Sequence, residues 1–198
     1  MGQTKSKQRD SGKGGKSADA LVRFVLDGAF TGKAWQGPTL SGSLRGVTAA
    51  QALWCPAPGR KCIWEQTFHV AYWKWTIARV LAVAAHGIEC AEAEFAAFPR
   101  SPANWPSLPP LEQRDEAAWK RDRTLLASVH RQLMEQASAI SPARMLEHPS
   151  PKHKYAIGFY IAGAAAHDAY HTGQVQLIKR LMPADLRPSK RTRGTGDA

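Results

Sequence analysis

The chain has 198 residues, of which 43% are hydrophobic and 22% are charged, and this is the composition of an ordinary globular domain. Its net charge of +11 comes from 27 basic and 16 acidic residues. No apolar run of 18 or more residues is present, so we predict no membrane-spanning helix.

The cysteines and the two chain ends give further expectations. Three cysteines do not make a disulfide framework, their odd number fits a reducing cytosol, and no hydrophobic leader follows Met1, so we expect a cytoplasmic protein. Residues 1–17 are rich in Gly, Lys and Ser, and residues 183–198 are again basic. Such segments carry too little apolar surface to fold. We predict a disordered basic tail over 1–17, one helical domain over 18–182 and a basic C-terminal tail over 183–198.

Apolar residues recur with helical spacing in four long segments. The first begins near Ala18 and ends near Trp35, before the Gly37-Pro38 break. The second runs from about Cys62 to Ala85. The third covers about 111–138, and its charged residues, Asp122 among them, are assigned to a solvated outer face. The fourth covers about 154–182, where Pro183 ends it.

Two connections between these segments are informative. Thr48 with Gln51 three residues later has the pattern of a capping box, which predicts a short helical turn through Trp54. Residues 86–110 contain five prolines and are long enough to run the length of a bundle, so the second and third helices can lie parallel. No segment has a convincing strand pattern. The predicted fold is all-α, a four-helix bundle with a long crossover between helices two and three.

The fourth helix carries His167 and His171, four residues apart and therefore on one face. They lie in its apolar stripe, which is formed by Ile157, Tyr160, Ile161, Ala164, Val175 and Ile178. Two imidazoles at core positions need polar partners. A bound metal ion is the most specific interpretation of this pair.

A third ligand can be sought among the remaining histidines, and His69 alone lies in the middle of a helix on a predicted buried face. If helices two and four pack side by side, His69 completes a three-histidine site with His167 and His171. Neutral imidazoles bind zinc, nickel, iron or cobalt, and three protein ligands leave a position open for water or substrate. Side chains that could orient the ligands or hold substrate are Glu65, Asp168, Tyr170 and Gln174.

A structural interpretation of the same residues stays open at this level. A buried histidine in a helix is often a hydrogen-bonded core residue rather than a metal ligand. The tryptophans of the second helix fit a core or a pocket wall, and Cys62 fits a buried, unreactive thiol. The sequence pattern alone does not separate these interpretations from a metal site.

Several motifs together resemble the DinB/YfiT-like superfamily of metal-binding four-helix bundles. Trp35-Gln36-Gly37-Pro38-Thr39-Leu40 followed by Leu44-Arg45-Gly46-Val47-Thr48 is similar to the opening motif of that family. Ile63-Trp64-Glu65 with His69 and Trp73 resembles its second helix, and Trp119 resembles the tryptophan that opens its third. The stretch from His167 to Gln174, which reads HDAYHTGQ, resembles its most diagnostic motif. The resemblance covers about residues 20–182.

This resemblance implies an up-down-down-up helix order and frequent homodimers. It implies a divalent metal, zinc or nickel first and iron or manganese as alternatives, on His69, His167 and His171. It also implies a thiol-dependent transferase or isomerase that uses bacillithiol, mycothiol or glutathione, although many relatives have no assigned activity.

Two hypotheses of function follow. The first is a metal-dependent enzyme, an S-transferase or hydrolase, in which the metal activates a small thiol or water for attack on an electrophile. The alternative is a non-enzymatic protein that binds metal, or an acidic partner such as nucleic acid, through its basic tails. The sequence favours the enzyme, because no groove-reading motif and no base-stacking aromatic cluster accompany the basic residues.

Overall fold

The computed structural model describes residues 11–89, 95–100 and 103–187, and the regular elements in this part of the chain are all helices, joined by loops, with no strand. The prediction of an all-α fold is confirmed. The helices are α1 Ser11–Phe30, α2 Leu40–Ser43, α3 Ala49–Leu53, α4 Ile63–His86, α5 Glu116–Ser138 and α6 Ile157–Leu181. Single 3-10 turns lie at Leu111–Gln113 and Pro142–Arg144. None of the described helices combines the length and the apolar character needed to cross a membrane.

The four long helices pack so that each contacts two neighbours. α4 lies against α5 and α6, and α1 lies against the same two helices. Trp64 of α4 bonds to Asp122 of α5, and Lys74, further along α4, bonds to His130, further along α5. The residue numbers of the two helices rise together, so α4 and α5 run parallel, as the long crossover predicts. The complete up-down-down-up order stays a prediction.

The core has an apolar cluster at each end of α4. The cluster at its beginning includes Trp64, Phe68 and Trp119, and the cluster at its end includes Leu81 and Leu133. Lys74 lies between the two clusters along the helix and exposes only 2% of its surface. The bundle therefore contains a polar layer between two apolar ones.

Side-chain caps fix where the helices that carry the site begin. Cys62 caps α4: its Sγ accepts from the backbone N–H of Glu65, and the Glu65 carboxylate accepts from the N–H of Cys62. The predicted capping box of Thr48 and Gln51 is confirmed at the start of α3. Asp115 caps α5 by accepting from the N–H of Ala118, so this helix begins five residues later than the apolar pattern predicts.

Two further sequence-based expectations differ from the structure. α1 already includes Ser11, the first described residue, although the prediction began it near Ala18, and it ends at Phe30 rather than near Trp35. Asp122 is buried rather than solvated, because its Oδ2 accepts from Trp64 Nε1 at 2.6 Å and from Arg100 Nη2 at 2.7 Å. Residues 1–10 and 188–198, which hold most of the predicted tails, lie outside the described residues.

Candidate metal centre

Three histidines from two helices converge at one point. His69 is on α4, and His167 and His171 lie one turn apart on α6, which packs against α4. The Nε2 atom of His167 is 3.2 Å from that of His69 and 3.0 Å from that of His171. His69 and His171 are buried and His167 is partly buried. The structure therefore brings together the three residues that the sequence pattern singles out.

The outward-facing ring nitrogens of two of these histidines have defined hydrogen-bond acceptors. His69 Nδ1 faces the carbonyl oxygen of Asn104, and His171 Nδ1 faces the side-chain oxygen of Gln66. Because each partner is an acceptor, each Nδ1 carries the proton and donates it. The Nε2 atoms of both rings consequently present lone pairs toward the centre.

This set of donors fits a divalent cation better than a hydrogen-bonded core. His167 has one Nε2 and can donate from it to one neighbour only. A metal-free arrangement of neutral rings therefore leaves nitrogen lone pairs facing each other at close range. A cation at the centre accepts all three lone pairs, and ligands at about 2.0–2.1 Å in tetrahedral geometry lie about 3.3–3.4 Å apart, close to the separations seen here.

Burial favours the neutral, metal-binding form of all three rings. It lowers the pKa of His171 to about 3 and that of His167 to about 4, with repulsion among the rings as a further cause. Burial also lowers the pKa of His69, although the hydrogen bond to Asn104 opposes this shift. Metal ligands must be deprotonated, so these shifts extend the pH range in which the site can bind.

The three histidines line a cleft of about 830 Å³, which gives the site an open side. Trp105 forms one wall and stacks on His69, with ring centroids 4.0 Å apart and planes 14° apart. An apolar wall consists of Leu177, Ile178 and Leu181, and a basic rim consists of Arg60 and Lys61. Lys61 Nζ is 5.1 Å from the Trp105 ring centroid. The cleft therefore offers a ligand apolar surface on one side and positive charge on another.

The four residues predicted to orient ligands or hold substrate lie in different places. Tyr170 and Gln174 line the cleft, and the Tyr170 ring lies edge-on to His171 with centroids 5.0 Å apart. Glu65 instead contacts the start of α4 and Lys61. Asp168 also faces α4, but it pairs with Lys74, five residues beyond His69, rather than with the histidines. A direct role at the metal is therefore open for Tyr170 and Gln174 alone of these four.

The closest contacts of the histidines are residues that the sequence pattern did not identify. Gln66 had a detectable signal, because it is a polar residue on the buried face of α4, one turn before His69. No sequence signal identifies Asn104 or Trp105, because they belong to the proline-rich crossover, whose path depends on tertiary packing. Trp73 Nε1 donates to Asn104 Oδ1 at 2.8 Å and so helps to hold this segment against the site.

A second polar cluster lies behind the site and draws one residue from each long helix. Lys74 Nζ is 2.6 Å from Asp168 Oδ2 and 3.1 Å from His130 Nδ1. His130 Nε2 is 3.8 Å from Asp27 Oδ1, and the His130 ring stacks on Phe30 of α1 at 3.9 Å. Asp168 directly follows His167, so this cluster is joined to the candidate metal ligands through the backbone of α6.

Comparison with known proteins agrees with this geometry. The sequence model described as the DinB superfamily matches residues 35–175, which include His69, His167 and His171. No curated protein and no solved structure matches the chain significantly.

Proposed function

Because the chain belongs to the DinB superfamily, we propose that it is a metal-dependent enzyme, an S-transferase or hydrolase that acts on a small thiol or electrophile. The observation that carries this proposal is the convergence of three imidazole Nε2 atoms in the lining of an open cleft. A closed structural site would have a fourth protein ligand, whereas three ligands leave room for a reacting group.

A divalent ion at this position supplies a Lewis acid that lowers the pKa of a bound water or thiol. Asn104 and Gln66 fix the tautomers and the ring planes of His69 and His171. Trp105 keeps one face of His69 away from water by stacking on it. These contacts hold two of the three nitrogens in place before a ligand arrives, which reduces the cost of binding.

The walls of the cleft support a substrate with a charged part and an apolar part. Lys61 and Arg60 lie at the rim, where an anionic group of a low-molecular-weight thiol would find opposite charge. The wall of Leu177, Ile178 and Leu181 would contact the apolar part of the electrophile. Gln174, one turn beyond His171, is placed to hydrogen-bond a ligand in the same cleft.

Two finer aspects of the proposal, the metal and the assembly, rest on the family resemblance, and a third, the location, rests on the odd number of cysteines. Zinc or nickel is the proposed metal because imidazole ligands suit both ions, and iron or manganese are the alternatives. A homodimer is the proposed assembly, and the cytoplasm is the proposed location.

The experiment compares metal-free, zinc-loaded and nickel-loaded protein. Each form is assayed for conjugation of bacillithiol, mycothiol and glutathione to an aromatic electrophile, and for hydrolysis of an activated ester. We expect turnover with at least one loaded form, its loss on chelation and its recovery on reloading. His167→Ala should abolish both metal binding and turnover, whereas His148→Ala, an exposed histidine outside the cleft, should preserve them. Full metal occupancy without turnover of any thiol or ester would refute the enzymatic proposal.

A further inference from the structure

Two of the cysteines, Cys55 and Cys62, come together at the edge of the cleft. Their Sγ atoms and a Glu65 carboxylate oxygen lie within 4.8 Å of one another, and both thiols are free. Cys55 is exposed to solvent, whereas Cys62 exposes 1% of its surface. The pair therefore consists of one accessible and one protected thiol.

The surroundings of Glu65 argue against a metal ion at this second cluster. One carboxylate oxygen accepts from Lys61 Nζ at 2.7 Å, and the other accepts from the backbone N–H of Cys62 at 3.0 Å. One oxygen is thus occupied by the ion pair and the other by the cap of α4, so neither is free to bind a metal ion. The remaining two sulfur atoms are too few for a structural zinc site, which takes four ligands. Chemistry between the two thiols fits the geometry better.

The loop between the two cysteines belongs to the cleft. Five of its residues line the cleft: Pro56, Ala57, Gly59, Arg60 and Lys61. Gly59 has a φ of 72°, a left-handed conformation that glycine adopts without steric cost and that turns the chain back toward α4. Cys62 caps the helix that carries His69. A covalent bond between Cys55 and Cys62 would therefore close the loop that forms the basic rim of the candidate metal site.

We propose that Cys55 and Cys62 are a redox-active pair that forms a reversible intramolecular disulfide with hydrogen peroxide as the oxidant. The Cys55 sulfur attacks one peroxide oxygen, the O–O bond breaks, and Cys55 becomes a sulfenic acid while the departing hydroxide takes up the thiol proton as water. The Cys62 sulfur then attacks the Cys55 sulfur, and the S–O bond breaks. The hydroxide leaves with the Cys62 proton as a second water. Two sulfurs lose two electrons in total, and the peroxide gains them.

The order of the two steps follows from exposure. Cys55 meets the oxidant first because solvent reaches it, although its thiol donates a hydrogen bond to Leu53 O at 3.5 Å. Burial raises the pKa of Cys62 to about 12, with the nearby Glu65 charge contributing. Cys62 therefore stays protonated and unreactive toward peroxide in solvent. It attacks the neighbouring Cys55 sulfenic acid only as the hydroxide that leaves Cys55 takes up the Cys62 proton. Two molecules of a low-molecular-weight thiol reverse the reaction by thiol–disulfide exchange.

Peptide mapping tests this proposal directly, because trypsin cleaves after Arg60 and Lys61, between the two cysteines. Full-length protein with Cys90→Ser is freed of metal, treated with dilute hydrogen peroxide, alkylated under denaturing conditions and digested without reductant. We expect the peptides of residues 46–60 and 62–74 to appear joined, at the sum of their masses less two hydrogen atoms. Dithiothreitol should separate them. The mass readout does not depend on metal binding or on enzymatic activity.

Two variants separate the chemistry from the fold. Cys62→Ser retains a side-chain oxygen that can cap α4, so it should fold normally and stop at a Cys55 sulfenic acid that dimedone traps. Cys55→Ser should leave Cys62 reduced at the same peroxide concentration. Over-oxidation of Cys55 or disulfide-linked dimers, with Cys62 still fully alkylated and no joined peptide, would overturn the proposal.

Discussion

Lys74 Nζ lies 2.6 Å from Asp168 Oδ2 in the centre of the bundle, and the two side chains expose only 2% and 1% of their surface. Burial lowers the pKa of Lys74 and raises that of Asp168, and the attraction between the two charges opposes both shifts. The pair joins α4 to α6 next to His167. It therefore links the two helices that carry the three-histidine cluster.

This ion pair predicts an asymmetry between single and double substitutions. Lys74→Met leaves the Asp168 carboxylate buried without its partner, and the free energy of unfolding should fall by about 3–5 kcal/mol. The double variant Lys74→Met/Asp168→Leu removes both charges and should be clearly more stable than the single one. Urea denaturation of the three proteins measures the difference. A single variant as stable as the parent would show that the pair contributes little.

Metal binding should stabilise the fold, and this stabilisation should require each of the three histidines. At a free metal concentration about one hundred times Kd, the folded state gains about 2.7 kcal/mol, so zinc or nickel should raise the melting temperature and a chelator should reverse the change. His69→Ala, His167→Ala and His171→Ala should each abolish this shift, whereas His148→Ala should retain it. The measurement is thermal unfolding monitored by circular dichroism, with bound metal counted separately. An equal shift in the His171→Ala variant would argue against the proposed ligand set.

Stability of the metal-free protein should depend on pH through two buried histidines, His130 and His171, and the partly buried His167. The pKa is lowered from 6.5 to about 3 for His130, about 4 for His167 and about 3 for His171, with burial as the main cause in each. Below about pH 6.5 the unfolded chain binds protons that the folded chain does not. The three neutral imidazoles therefore make their full contribution to the free energy of unfolding above this pH. That contribution is lost as the pH falls toward their pKa values in the folded protein, about 4 and about 3.

Urea unfolding in the presence of chelator, measured at several pH values between about 7.5 and 4.5, checks this dependence. We expect the unfolding free energy to change little above about pH 6.5 and to decrease as the pH is lowered below it. His171→Gln removes one of the titrating groups and should flatten the slope. A slope that is zero or of the opposite sign would contradict the assignment of these rings as neutral in the folded protein.

The hydrogen bond from His171 to Gln66 should tune metal affinity without supplying a ligand. Gln66→Leu removes the acceptor of the Nδ1 proton, and we expect metal affinity to fall about 10–100-fold, because such contacts orient the ring and raise its basicity. Gln176→Leu is the matched control on α6, outside the cleft. Isothermal titration with zinc measures both variants. Equal affinities for the two would mean that Gln66 has no orienting role.

Local patterns in the sequence were sufficient to predict the long helices and the three histidines. His167 and His171 share a face because the helical repeat is fixed by backbone hydrogen bonding, and Thr48 and Gln51 form their capping box within one turn. His69 could be selected because it interrupts an apolar stripe. Each of these inferences depends on residues close in the chain, whose relative geometry changes little with the rest of the fold. The ligand roles of the histidines stay a prediction.

Contacts between distant segments were decided by the tertiary structure alone. Asn104 accepts from His69 because the crossover folds back over α4, and Lys74 meets Asp168 because α4 and α6 pack at one particular register. Cys55 meets Cys62 because the loop between them reverses. Helical periodicity gives the face on which a side chain lies but not the atom that faces it. Packing of the whole chain decides which atom faces each buried polar group, because such a group is stable only where the fold supplies a hydrogen-bond or ion-pair partner.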